Sequence, residues 1–140
     1  MRFYEDLTQL QKNRLPQRAY YLPENPNGVT LLNGQWDFCY YEADFLEEET
    51  PAHWDTIPVP SCWQLYGYDH PNYTDIKYPY PVDMPYVPDE NPMGIYRRAF
   101  EITAPENRHY LVFEGVGSCL ELYINGQFAG YSQGSHLQAA

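Results

Sequence analysis

The residues of this chain best suited to chemistry are its carboxylates, 19 Asp and Glu in 140 residues. Two carboxyl groups held roughly 5–5.5 Å apart can share acid/base and nucleophilic work between them. With so many acids some pair will always be close, and no spacing promotes one pair over another. The histidines His53, His70, His109 and His136 are dispersed and form neither H-x-x-H nor H-E-x-x-H, so they do not present paired imidazoles to a metal. Cys39, Cys62 and Cys119 contain no C-x-x-C pair, and Cys119 has no adjacent histidine or basic residue to activate its thiol. Their odd number argues against a disulfide framework, and the three read as small buried hydrophobes. Asp75 lies in a Pro/Tyr-rich stretch, where an Asx side chain commonly turns or caps its own loop.

The elements that must position these groups read as short strands. Leu120, Leu122 and Ile124 alternate with Glu121, Tyr123 and Asn125, the period-2 pattern of a half-buried strand. Asn125-Gly126 then predicts a type I′ hairpin turn, with Phe128 and Tyr131 on the returning arm. Trp36, Phe38 and Tyr40 alternate with Asp37 and Cys39 in a core-lining strand. Thr56–Val59 is a short strand closed by Pro60, Gly94–Ile102 resumes strand character, and His109–Phe113 is another strand candidate. Val29–Leu32 is a further short candidate between two turns. Residues 4–15 predict a short helix or an extended arm, ended by Pro16. About seven strands joined by turns predict an all-β, antiparallel sandwich. The domain reading is an arm over residues 1–33 and a sandwich domain over 34–140.

From Ser61 to Asn91 periodicity is lost. Nine prolines run from Pro51 to Pro92, interleaved with tyrosines, while Gly and Ser are scarce. That composition is not a flexible linker. Prolines reduce the entropy lost on ordering, so the stretch reads as a long ordered loop that packs its rings against a partner surface. The acidic run Glu47-Glu48-Glu49 reads as a solvated surface turn.

Composition excludes several classes. Aromatics at 17% and hydrophobics at 44% do not fit a disordered chain. A formal net charge of −11 offers no basic footprint to nucleic acid and would be repelled by an anionic membrane surface. A neutral ligand is compatible with that field. Residues 1–6 lack the apolar core of a signal peptide, and no apolar run reaches the roughly 20 residues of a membrane span. The expected compartment is the cytoplasm, and the Asn72-Tyr73-Thr74 sequon is read as chance.

Four ordered blocks carry a resemblance. Phe113, Gly115-Val116, Ser118, Asn125-Gly126 and Gly130 follow an F-x-G-V-x-S…N-G…G pattern. Ile57 to Tyr68 follows I-x-V-P-S-x-W-Q-x-x-G-Y. Tyr73-Thr74-Asp75-Ile76-Lys77-Tyr78-Pro79 and Val87 to Arg97 are the third and fourth blocks. From about Gly34 to Ser135 the chain resembles the N-terminal sugar-binding domain of glycoside hydrolase family 2, nearest the bacterial β-galactosidases. The resemblance implies a jelly-roll sandwich, C-terminally incomplete here because further strands follow in that family. It implies retaining hydrolysis of terminal β-galactose by the full-length protein, with both catalytic carboxylates in a barrel domain beyond residue 140. Glu24-Asn25-Pro26 and Glu90-Asn91-Pro92 reverse the family's Asn-Glu-Pro order, so no catalytic residue is expected in this piece, and the piece alone is expected to be inactive. Asp75 matches the family position, usually Asn, whose side chain bonds galactosyl hydroxyls. An ionised aspartate accepts such bonds but cannot donate them. Trp63 and the tyrosines could stack on sugar faces, although packing is the commoner use of such rings.

The resemblance further implies Mg²⁺ and Na⁺ in the full-length enzyme, with most ligands outside the matching segment and no metal in this piece. It also implies a barrel-domain partner and a homo-oligomer. Two rival readings are the same domain of a β-glucuronidase or β-mannosidase, and a stand-alone carbohydrate-binding module. The missing strands would leave an open edge able to recruit a second copy of the chain.

Overall fold

The computed structural model describes residues 2–17, 25–44, 51–73, 76 and 78–140. Among these there are six strands, three 3-10 turns and no α-helix. The strands are β1 (Gln11–Lys12), β2 (Gly34–Tyr41), β3 (Asp55–Val59), β4 (Met93–Arg97), β5 (Cys119–Ile124) and β6 (Gln127–Gln133). They form two three-stranded antiparallel sheets, ordered β3-β2-β4 and β1-β6-β5. The all-β antiparallel class expected from the sequence is what the structure shows. The chain divides into two compact units, Thr30–Ile102 and Met1–Val29 with Thr103–Ala140.

In the Thr30–Ile102 unit the core grows from the alternation in β2. Register places Trp36 opposite Ile57, and Phe38 between Asp55 on one neighbour and Tyr96 on the other. Facing residues of an antiparallel pair share a side of the sheet, so Phe38, Ile57, Asp55 and Tyr96 share one. Phe38 and Ile57 are fully buried. The 3-10 turn Trp63–Tyr66, with Gly67 at φ 88 ending it, folds two more rings onto this face. Trp63 lies 6.2 Å from Phe38 and 5.7 Å from Tyr40, and Tyr68 meets Phe38 edge-on at 4.9 Å. Gly94 makes room for them: a Cβ there would sit 2.7 Å from both Phe38 Cε2 and Trp63 Cζ3. On the opposite side Arg97 donates from Nε and Nη2 to Asp37 Oδ2 at 3.0 and 2.8 Å and lies 3.9 Å over the Trp54 ring.

In the other unit the hairpin forms as expected. Asn125 and Gly126 take φ of 51 and 77, the pair of left-handed residues that a type I′ turn needs. A register shift between Leu122 and Tyr123 leaves Ala129 as the extra residue of a bulge, and its carbonyl accepts from Asn13 Nδ2 at 2.8 Å. The arm of residues 2–17 opens on the 3-10 turn Phe3–Glu5 and, instead of continuing as a helix, pairs β1 with the far edge of β6. Lys12 sits near the Phe3 and Phe128 rings, 5.9 and 5.4 Å from their centroids, and Phe3 stacks on buried Tyr131 at 5.0 Å.

Several expected strands did not form. Val29–Leu32 and residues 98–102 are not in strands, and of His109–Phe113 only Phe113 pairs, in a lone bridge to Ala139. A strand is completed by its neighbour, and these stretches have no sheet neighbour among the described residues. The cysteines are not the buried hydrophobes expected: Cys39 and Cys119 are half-buried and Cys62 is exposed beside the 3-10 turn.

Candidate functional site

The polar constellation of the Thr30–Ile102 unit lies where β3 stops short. β3 pairs with β2 only as far as Phe38, while β2 runs on to Tyr41. An open cleft of about 330 Å³ lies there between Tyr40, Tyr41, His53, Asp55 and Tyr68. Tyr68 donates its hydroxyl to Asp55 Oδ2 at 2.7 Å, and His53 Nε2 lies 3.0 Å from Oδ1. The pair perturbs both acids in opposite senses. Donation by Tyr68, then by His53, holds the Asp55 carboxyl below its ordinary range. Bonding to Asp55, then burial, pushes the Tyr68 phenol up to about 12. Both shifts favour one state, neutral tyrosine on ionised aspartate, across the physiological range.

The Pro/Tyr-rich stretch leaves from this point. Beyond Tyr68, Asp69 Oδ1 lies 3.1 Å from His70 Nδ1. The far end is held by Tyr80, which donates to Asn91 Oδ1 at 3.0 Å and meets Tyr78 edge-on at 6.1 Å. Along and beside this stretch Tyr66, Tyr73, Tyr78 and Tyr86 are exposed, as are Ile76, Val82 and Met84. Asp75, the substrate-binding residue expected from sequence, lies outside the described residues.

The other sequence candidates have structural employment. Trp63 belongs to the aromatic core face. Asn91 of the Glu90-Asn91-Pro92 tripeptide accepts from Tyr80. His109 Nε2 lies 3.0 Å from the Ala104 carbonyl oxygen. Among the described residues there is no group of three His, Cys, Asp or Glu that could hold a metal ion. Nor is any of their helices long and apolar enough to cross a membrane. Sequence reasoning did not connect Tyr68 to Asp55. The available signal was that Asp55 lies two residues before the Ile57–Tyr68 block and Tyr68 ends it.

Comparison with known proteins decides what this arrangement belongs to. Residues 29–140 match the model of the sugar binding domain of glycosyl hydrolases family 2. The chain belongs to that family. Among its relatives is a β-galactosidase of Actinobacillus pleuropneumoniae, 41% identical over 96% of this chain and 15% of that protein. Another, from Alteromonas mediterranea, is 48% identical over 78% of this chain and 12% of its own length. A third, from Kluyveromyces lactis, is 42% identical over 90% and 13% respectively. The chain thus spans less than a fifth of the length of these family 2 relatives.

Proposed function

We propose that this chain is the non-catalytic, sugar-binding-type domain of a retaining β-galactosidase that acts on terminal β-galactose, as in lactose. The observation that carries this reading is identity of 41–48% to β-galactosidases over most of the chain. In this reading the two carboxyl groups of the retaining reaction belong to the barrel of the longer protein. The present chain supports that barrel and lends its Pro/Tyr-rich segment to the galactose subsite. Asp75 accepts hydrogen bonds from galactosyl hydroxyls there, each charge-assisted and therefore stronger than a neutral one. The exposed tyrosines and aliphatic side chains between Tyr66 and Tyr86 are, in the same reading, the face that packs on the barrel. A cytoplasmic homo-oligomer completes the proposal. Mg²⁺ and Na⁺ belong to it only through ligands elsewhere in the longer protein.

The test is a panel of nitrophenyl glycosides offered to the full-length protein. Rapid hydrolysis of the β-galactoside alone is expected. Faster hydrolysis of the β-glucuronide or β-mannoside would overturn the galactosidase reading. The 140-residue chain by itself is expected to hydrolyse none of them.

A further inference from the structure

We infer that Tyr68 and Asp55 are a positioning pair: their hydrogen bond fixes the start of the Pro/Tyr-rich segment and so orients the part of the chain that meets substrate. The inference rests on the proposed function for its kinetic consequence, while the pair itself is formed by described residues.

Asp55 opens β3 and is paired by register with Phe38 at the centre of the sheet. It is therefore held by the fold, not by the loop. Tyr68 comes directly after the positive-φ Gly67 that caps the 3-10 turn Trp63–Tyr66. Its ring is gripped by Phe38 at 4.9 Å and Tyr40 at 5.7 Å, and its hydroxyl by Asp55 at 2.7 Å. Ring packing fixes where the residue sits, and the hydroxyl bond ties the tip of the ring to β3. At the other end Tyr80 makes one comparable bond, to Asn91. Among the described residues between these two anchors there is no strand, and Tyr73, Ile76 and Tyr78 are exposed. Exposed stretches of this kind open locally at less free energy than a packed core, so the bonds at their ends set where they begin and stop. Asp75 lies between the anchors in the chain. His53 adds a second donor to Asp55, but its side chain is 82% exposed, and exposed charge pairs contribute little. The weight therefore falls on Tyr68.

The experiment uses the full-length protein with Tyr68→Phe, Asp55→Ala and Asp55→Asn, each alone, and Tyr68→Phe combined with Asp75→Ala. Hydrogen exchange across residues 69–80 is expected to quicken in Tyr68→Phe and Asp55→Ala. It should stay near wild type in Asp55→Asn, whose amide oxygen still accepts from Tyr68. With a nitrophenyl β-galactoside, kcat/KM is expected to fall roughly three- to tenfold in the first two variants, the scale of one lost hydrogen bond. Tyr68→Phe should add nothing on top of Asp75→Ala, because a positioning residue loses its effect with the group it positions. Unchanged exchange in Tyr68→Phe, or wild-type kcat/KM, overturns the inference. So does a loss that is additive with Asp75→Ala, the mark of a general stability effect. Wild-type activity in Asp75→Ala would instead refute the proposed role of Asp75, and exchange would still decide whether the pair anchors the segment.

Discussion

Replacing Gly94 by alanine tests the core directly. The new Cβ would lie 2.7 Å from Phe38 Cε2 and Trp63 Cζ3 and 2.8 Å from Trp63 Cε3, where ordinary contacts begin at 3.4 Å. Two rings must therefore retreat by about 0.7 Å each. Phe38 is fully buried and meets Tyr68 at 4.9 Å and Tyr96 at 4.8 Å, so its retreat presses on neighbouring rings. Overpacking of this kind costs about 1–3 kcal/mol. Removing a strand glycine returns about 0.5–1 kcal/mol of backbone entropy, leaving a net loss on the order of 1–2 kcal/mol. For a small domain with a urea slope of about 1–3 kcal/mol/M, the unfolding midpoint of the chain, followed by tryptophan fluorescence, should drop by roughly 1 M. Phe38→Leu should relieve the Phe38 part of the clash and leave the Trp63 part, so Gly94→Ala should cost less in that background. An unchanged midpoint, or equal costs in the two backgrounds, would refute the packing described for this face.

Gly67→Ala meets no atom within 4 Å but sits at φ +88, so it should destabilise by about 1 kcal/mol through backbone strain alone, without the Phe38 coupling. Asn13→Ala removes the donor to the carbonyl of bulged Ala129 and should cost about 0.5–1.5 kcal/mol in the same urea assay. Burial pushes the Tyr131 phenol from 10.0 to about 12. Its folded value lies above its unfolded one, so its contribution is complete below pH 10 and is lost as pH rises through 12; Tyr131→Phe should flatten the fall in unfolding midpoint over that window. β5 is an edge strand of its sheet, and exposed edges recruit partners, so light scattering of the isolated chain should show mass rising with concentration.

What was legible in the sequence was local. The β5/β6 hairpin announced itself because Asn125-Gly126 satisfies a backbone requirement that few other dipeptides meet. β2 did so because alternation of Trp36, Phe38 and Tyr40 leaves only one way to bury three rings. Residues 98–102 and 109–112 carry comparable strand residues, yet whether they pair is decided by a neighbour that no local pattern specifies. The arm shows the same limit: nothing around Gln11-Lys12 signals that β6 will pair with it or that Lys12 will lie near two phenylalanine rings. At the candidate site, the Pro/Tyr-rich segment was visible as composition. Its anchor was not, because Tyr68 and Asp55 meet only after β3 and the Trp63–Tyr66 turn have folded onto Phe38.

The proposed role of the chain is tested most directly by steady-state hydrolysis of a nitrophenyl β-galactoside by the full-length protein with and without Asp75→Ala. Loss of one charge-assisted hydrogen bond of about 1.5–3 kcal/mol, at 1.36 kcal/mol per decade, predicts a fall in kcat/KM of roughly ten- to a hundredfold with the unfolding midpoint unchanged. Wild-type kcat/KM in that variant would contradict the view that this domain completes the galactose subsite.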